Sequence, residues 1–92
     1  MRIDASEPPS PGEYFRFTVR DGIGETQVEV LVNDTLIHSA GCPDPPCHDL
    51  VMVPPYASGQ LVVVAVDSQG VRGQRVFNII SRTNPGGMMR AG

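Results

Sequence analysis

Four side chains able to hold a metal, form a covalent link or move a proton fall within eleven residues: His38, Cys42, Cys47 and His48, spaced H-x3-C-x4-C-H. They are the only cysteines and histidines in the chain. The simplest chemistry for this set is a disulfide, Cys42–Cys47, clamping the PDPP loop between them. Closing so short a loop stabilises by about 2 kcal/mol if the effect is loss of chain entropy in the unfolded state. An even cysteine count in a small exported domain fits that reading. The histidines are then surface residues, His38 ending one strand and His48 beginning another.

Two further chemistries use the same atoms. C-x4-C-H is similar to a longer form of the c-type haem attachment motif, whose usual form is C-x2-C-H. That similarity implies thioethers at Cys42 and Cys47, with His48 as proximal iron ligand. The second axial ligand would be His38, Met52, Met88 or Met89. Zinc held by two thiolates and two imidazoles has the right ligand types, although adjacent Cys47 and His48 would have to turn back onto one ion. A nucleophilic Cys–His pair lacks a third residue to orient it. No catalytic constellation stands out elsewhere, so the chain is expected not to be an enzyme.

These residues need a scaffold, and the hydrophobic pattern supplies one. Phe15, Phe17 and Val19 alternate with Tyr14, Arg16, Thr18 and Arg20, the period of a half-buried strand. Val28, Val30 and Val32 alternate with Gln27, Glu29 and Leu31. Asn33-Asp34 reads as a tight hairpin turn, with Thr35 to His38 as the short returning strand. Residues 39–47 are expected to be irregular, because Pro43, Pro45 and Pro46 remove ladder donors. Leu50 to Val53 reads as a brief strand. Residues 60–66 contain LVVVAV, predicted to be a central strand covered on both sides. Val71 to Ile80 completes the set, with Phe77 and Ile79 on one face and Val76 and Ile80 on the other. Six or seven short strands separated by turn residues predict an antiparallel sandwich. Residues 1–12 read as a linker or extended lead-in, 13–82 as the domain, and 83–92 as a flexible tail.

Two stretches carry a resemblance. Residues 19–33, VRDGIGETQVEVLVN, resemble the B–C hairpin of bacterial immunoglobulin-like domains. Residues 58–74, SGQLVVVAVDSQGVRGQ, resemble their F–G hairpin, with Ala65, Asp67 and Gly70 at the positions of its Ala-x-Asp and turn glycine. The likeness extends over about 13–80 and implies an all-β, immunoglobulin-like sandwich, related to cadherin and fibronectin type III domains. Such domains are spacer, adhesion or assembling modules of exported and cell-surface proteins. Their partners are other domains of the same protein or neighbouring subunits, and homo-oligomers can form by strand exchange. The first strand of such a domain is poorly represented: either it is short, or a neighbouring chain supplies that edge. The resemblance also places the turns bearing Asp21, Glu25 and Asp67 at one end, where paired carboxylates suggest calcium. The remaining acidic elements of a cadherin site are missing, and capping of turns by aspartate accounts for the residues equally.

Composition narrows the setting. The chain has 92 residues, one domain's length, and buries only about 60% of its unfolded surface, so the core is thin. A net charge of −3 offers no overall basic footprint for nucleic acid. No apolar run reaches the length of a membrane span. All seven basic residues are arginine, consistent with a GC-rich bacterial genome. Arg72, Arg75, Arg82 and Arg90 are spread along a strand and tail and read as a solvated face. Asn33-Asp34-Thr35 is a formal glycosylation sequon. The expected location is extracellular, cell-surface or periplasmic.

Overall fold

The fold is known from a computed structural model, which describes residues 1–80. Arg82, Met88, Met89, Arg90 and the expected tail over 83–92 lie outside the described residues. Seven strands follow one another: β1 (Ile3–Asp4), β2 (Tyr14–Val19), β3 (Thr26–Val32), β4 (Thr35–Cys42), β5 (Cys47–Met52), β6 (Gln60–Val66) and β7 (Arg72–Asn78). They form two antiparallel sheets, ordered β1-β2-β5 and β4-β3-β6-β7. This is the all-β sandwich that the alternation predicts. Among the described residues no helix is long and apolar enough to cross a membrane.

Period-two alternation decides which side chains fill the core. Phe15, Phe17 and Val19 of β2 face Val28, Val30 and Val32 of β3 and Leu61, Val63 and Ala65 of β6, and all are buried. Val51 and Phe77 complete the layer from β5 and β7. Phe15 stacks beside Phe17 and meets Phe77 edge-on at 5.1 Å between ring centroids. Burying each such ring is worth about 1.5–3 kcal/mol.

The first strand is short and comes from the chain itself. Ile3 and Asp4 pair with Val19 and Thr18. The proline-rich stretch that follows carries no regular element, but it is anchored: Pro9 and Ser10 are buried, and Pro9 accepts a hydrogen bond from the Ile80 amide. The edge between β1 and β7 is closed by Arg75, whose Nη1 donates to the Ile3 carbonyl at 2.9 Å. The fourth strand pairs with β3, in the four-stranded sheet. Immunoglobulin constant-type domains place their fourth strand in the opposite sheet.

Three local expectations are corrected. Residues 39–47 are not all irregular: β4 continues to Cys42 and β5 begins at Cys47, leaving only residues 43–46 outside the ladders. The prolines all sit in that gap, so the amides of Ser39 to Cys42 remain free to pair with β3. Consequently His38 lies inside β4 rather than at its end. The LVVVAV strand is covered on one face only, as a two-layer fold requires; Val62 and Val66 on the outer face are half-buried. Val64 is nevertheless buried on that outer face, flanked in register by Glu29 and Gln74. The last strand is shorter than residues 71–80, ending at Asn78. The β3–β4 hairpin turns through Asn33 (φ 49°) and Asp34 (φ 67°), the double left-handed geometry of a type I′ turn.

Candidate functional site

The cysteine–histidine cluster lies where one edge of the sandwich meets the other sheet. Residues opposite each other in an antiparallel ladder share a face. Thr26 and Val30 of β3 point into the core, so their partners Cys42 and His38 also point inward from β4. Val19 and Phe17 of β2 point inward, so Cys47 and Asp49 do the same from β5. The β4 and β5 edges therefore confront each other through these four side chains. Cys42 and Cys47 are joined in a disulfide with their Cα atoms 6.0 Å apart. Stacked sheets ordinarily lie about 10 Å apart, so the layers converge at this edge. Further along, His38 Nε2 is 3.0 Å from Asp49 Oδ2, a second link between the sheets. A bulge between Val30 and Leu31 inserts Ile37 opposite no partner, and half-buried Ile37 packs against the core.

The fourth member of the sequence cluster is separated from the others. His48 pairs with Thr18 on the outward face, and its Nδ1 lies 3.0 Å from Thr18 Oγ1. His38 thus points between the sheets, whereas His48 points away from them. With both sulfurs in one disulfide, neither haem thioethers nor thiolate ligation of zinc can form at Cys42 and Cys47. The gap behind the disulfide is about 100 Å³, below the few hundred typical of a small-molecule site. Met52 is exposed on the outward face of β5.

Two of the carboxylates at the other candidate site are engaged by backbone amides. Asp67 accepts from three backbone amides: Ile23 at 3.1 Å on Oδ2, and Gln69 and Val71 at 2.9 Å on Oδ1. Burial pushes its carboxyl up, but the three amide donors outweigh that and hold it below its ordinary value. Asp67 therefore shapes the β6–β7 turn and ties it to the loop after β2. Asp21 accepts from the Arg2 amide at 2.7 Å instead. Glu25 shares a shallow depression with Asp67. Among the described residues no three His, Cys, Asp or Glu side chains are grouped to hold a metal ion. The sequon asparagine is also engaged, since Asn33 Nδ2 donates to the Ser58 carbonyl at 2.8 Å.

The outward face of β1-β2-β5 carries a feature that sequence reading missed. Arg2, Arg16, Arg20 and Arg75 line an open cleft of about 700 Å³ with Asp4, Thr18 and His48. Asp4 is its hub. Arg2 Nε (3.0 Å) and Arg20 Nε (2.9 Å) both bond its Oδ2, and Arg75 Nη1 (3.2 Å) bonds Oδ1. The Arg20 hydrogen bond, opposed by desolvation and helped by Arg2, holds the Asp4 carboxyl below its ordinary value. Arg75 also lies over the Phe77 ring, 5.1 Å from its centroid. The spacing of Arg16 and Thr18 on β2, with Arg20 just beyond its end, already places two arginines on one face. Their meeting with Arg2 and Arg75 depends on β1 lying beside β7, which no local pattern reveals.

The chain matches no family model, no curated protein and no solved structure.

Proposed function

We propose that this chain is a non-catalytic, immunoglobulin-like binding or spacer module of an exported or cell-surface protein. The observation that carries the reading is the Cys42–Cys47 disulfide joining β4 to β5. Such a bond persists in oxidising compartments, and here it ties together two sheets with a thin core between them. The polar groups nearest to chemistry support the same reading, because each is engaged in the fold. Asp67 caps a turn, His38 bonds Asp49, and His48 bonds Thr18. The partners of such a module are other domains of the same protein or neighbouring subunits. Exporting the chain to an oxidising compartment and alkylating it while unfolded, without reductant, tests this. The expected product carries no alkyl group and weighs two hydrogens less than the reduced chain. A folded, exported protein alkylated at both cysteines overturns the reading.

A further inference from the structure

We propose that the arginine cleft on the β1-β2-β5 face binds an anionic polysaccharide, a chain of sugars bearing carboxylate or sulfate groups. The inference rests on the reading of the domain as a binding module and names the partner of that module. Four guanidiniums and one carboxylate line the cleft. With His48 neutral, that is +4 − 1 = +3 on a chain whose net charge is −3. The rest of the protein then carries −3 − 3 = −6, so positive charge is concentrated in the cleft, with Glu7 and Glu13 beside Arg16 in the depression next to it. Each guanidinium has five N–H donors, whereas a carboxylate offers about four lone-pair sites. Three guanidiniums around Asp4 therefore hold far more donors than Asp4 can use. Arg2 and Arg20 engage it through Nε, keeping their terminal amino groups for an oxyanion. Arg16 is not engaged by Asp4 at all.

The shape and surroundings select among anions. A cleft of about 700 Å³ is far larger than one sulfate and is open enough to admit a chain. Thr18 and His48, bonded to each other, add a hydroxyl and a second ring nitrogen among the cations, suited to hydroxyls between charged substituents. A membrane or a nucleic-acid duplex would present a broad anionic surface and bring the remaining negative charge against it, whereas a slender chain would not. Single-stranded nucleic acid needs a series of exposed rings for stacking. The only aromatic residue in the cleft is Phe17, which is buried, and Tyr14 beyond Arg16 is a single ring. A peptide added as a strand needs a sheet edge with unpaired backbone groups. The charged groups of this site are side chains, set beside the short β1 edge.

Titration of the oxidised domain with a sulfated polysaccharide (heparin), a carboxylated one (polygalacturonate) and poly-glutamate tests the proposal. At least one polysaccharide is expected to bind at low salt, and binding should weaken as NaCl rises from about 50 to about 300 mM. Which one binds identifies the substituent. Arg16→Gln with Arg20→Gln should weaken binding by about tenfold or more, while Arg72→Gln, outside the cleft, leaves it unchanged. If the double variant does not fold, Arg16→Gln alone, which breaks no bond to Asp4, decides by the same direction of change. No binding of either polysaccharide, equal binding by the arginine variants, or tighter binding of poly-glutamate overturns the inference. An intact disulfide in a folded domain that binds no polysaccharide overturns this inference and leaves the module reading standing.

Discussion

His38 on β4 and Asp49 on β5 lie in different sheets, yet their side chains meet at 3.0 Å between Nε2 and Oδ2. They continue along the β4–β5 edge the line that the Cys42–Cys47 disulfide begins. The two contacts together close the edge of the sandwich at which the chain passes from one sheet to the other. A domain with a small core gains most from such closure, because both sheets are then held in one register.

The His38–Asp49 contact is half-buried, so its contribution is modest. A double-mutant cycle with His38→Ala and Asp49→Ala, measured by urea unfolding at neutral pH, should give a coupling of about 0.5–1 kcal/mol. His48→Ala combined with Asp49→Ala should give none, because His48 faces outward toward Thr18. Coupling of equal size in both cycles contradicts the assigned faces.

Asp67 makes stability depend on acid. Its carboxyl is held below its ordinary value of 3.8 in the fold, so its stabilising effect is present above about pH 4 and is lost as pH falls through the lower folded value. Asp4 acts in the same direction. The thermal midpoint should therefore drop between about pH 5 and about pH 2. In Asp67→Asn the midpoint should be lower at neutral pH and its fall on acidification smaller. A midpoint equal to the parent's at pH 7 contradicts the role given to the three amide bonds.

The hairpin turn holds Asp34 at a φ of 67°, where glycine meets no steric penalty. Asp34→Gly creates Asn-Gly, the preferred type I′ pair. Chemical denaturation should show stabilisation of about 0.5 kcal/mol, the left-handed strain relieved exceeding the entropy glycine adds to the unfolded chain. Destabilisation would show that the turn does not adopt this geometry.

Arg75 couples the β1–β7 edge to the core. It donates to the Ile3 carbonyl and lies over Phe77. Lysine supplies charge but neither the planar stack nor the fork. Arg75→Lys should cost about 1 kcal/mol, with faster hydrogen exchange at the amides of β1. Unchanged exchange there would separate Arg75 from the anchoring of β1.

Much of this architecture was legible from alternation alone. The inward residues of β2 and β3 could be read because each strand follows period two, as Phe15, Phe17 and Val19 do, whereas LVVVAV of β6 is apolar on both faces and shows no inward set. The edge strands were harder. Residues 39–42 looked irregular because three prolines follow them, yet proline removes only its own amide from the ladder. Asp49 was missed as a partner of His38. Cys47 and His48 are adjacent in sequence, yet successive residues on a strand face opposite ways. Reading alternation through the cluster would have grouped Cys47 with Asp49 and left His48 out. The arginine cleft was beyond local reading, since Arg2 and Arg75 are brought together only by the closing of β1 against β7.

The Cys42–Cys47 bond joins the β4 and β5 edges covalently, beside the His38–Asp49 contact, and sustains the sandwich. Urea unfolding of the oxidised domain and of Cys42→Ala with Cys47→Ala measures this most directly. The variant should keep its β-sheet circular dichroism but lose about 2 kcal/mol of unfolding free energy. Equal stability of the two proteins contradicts it.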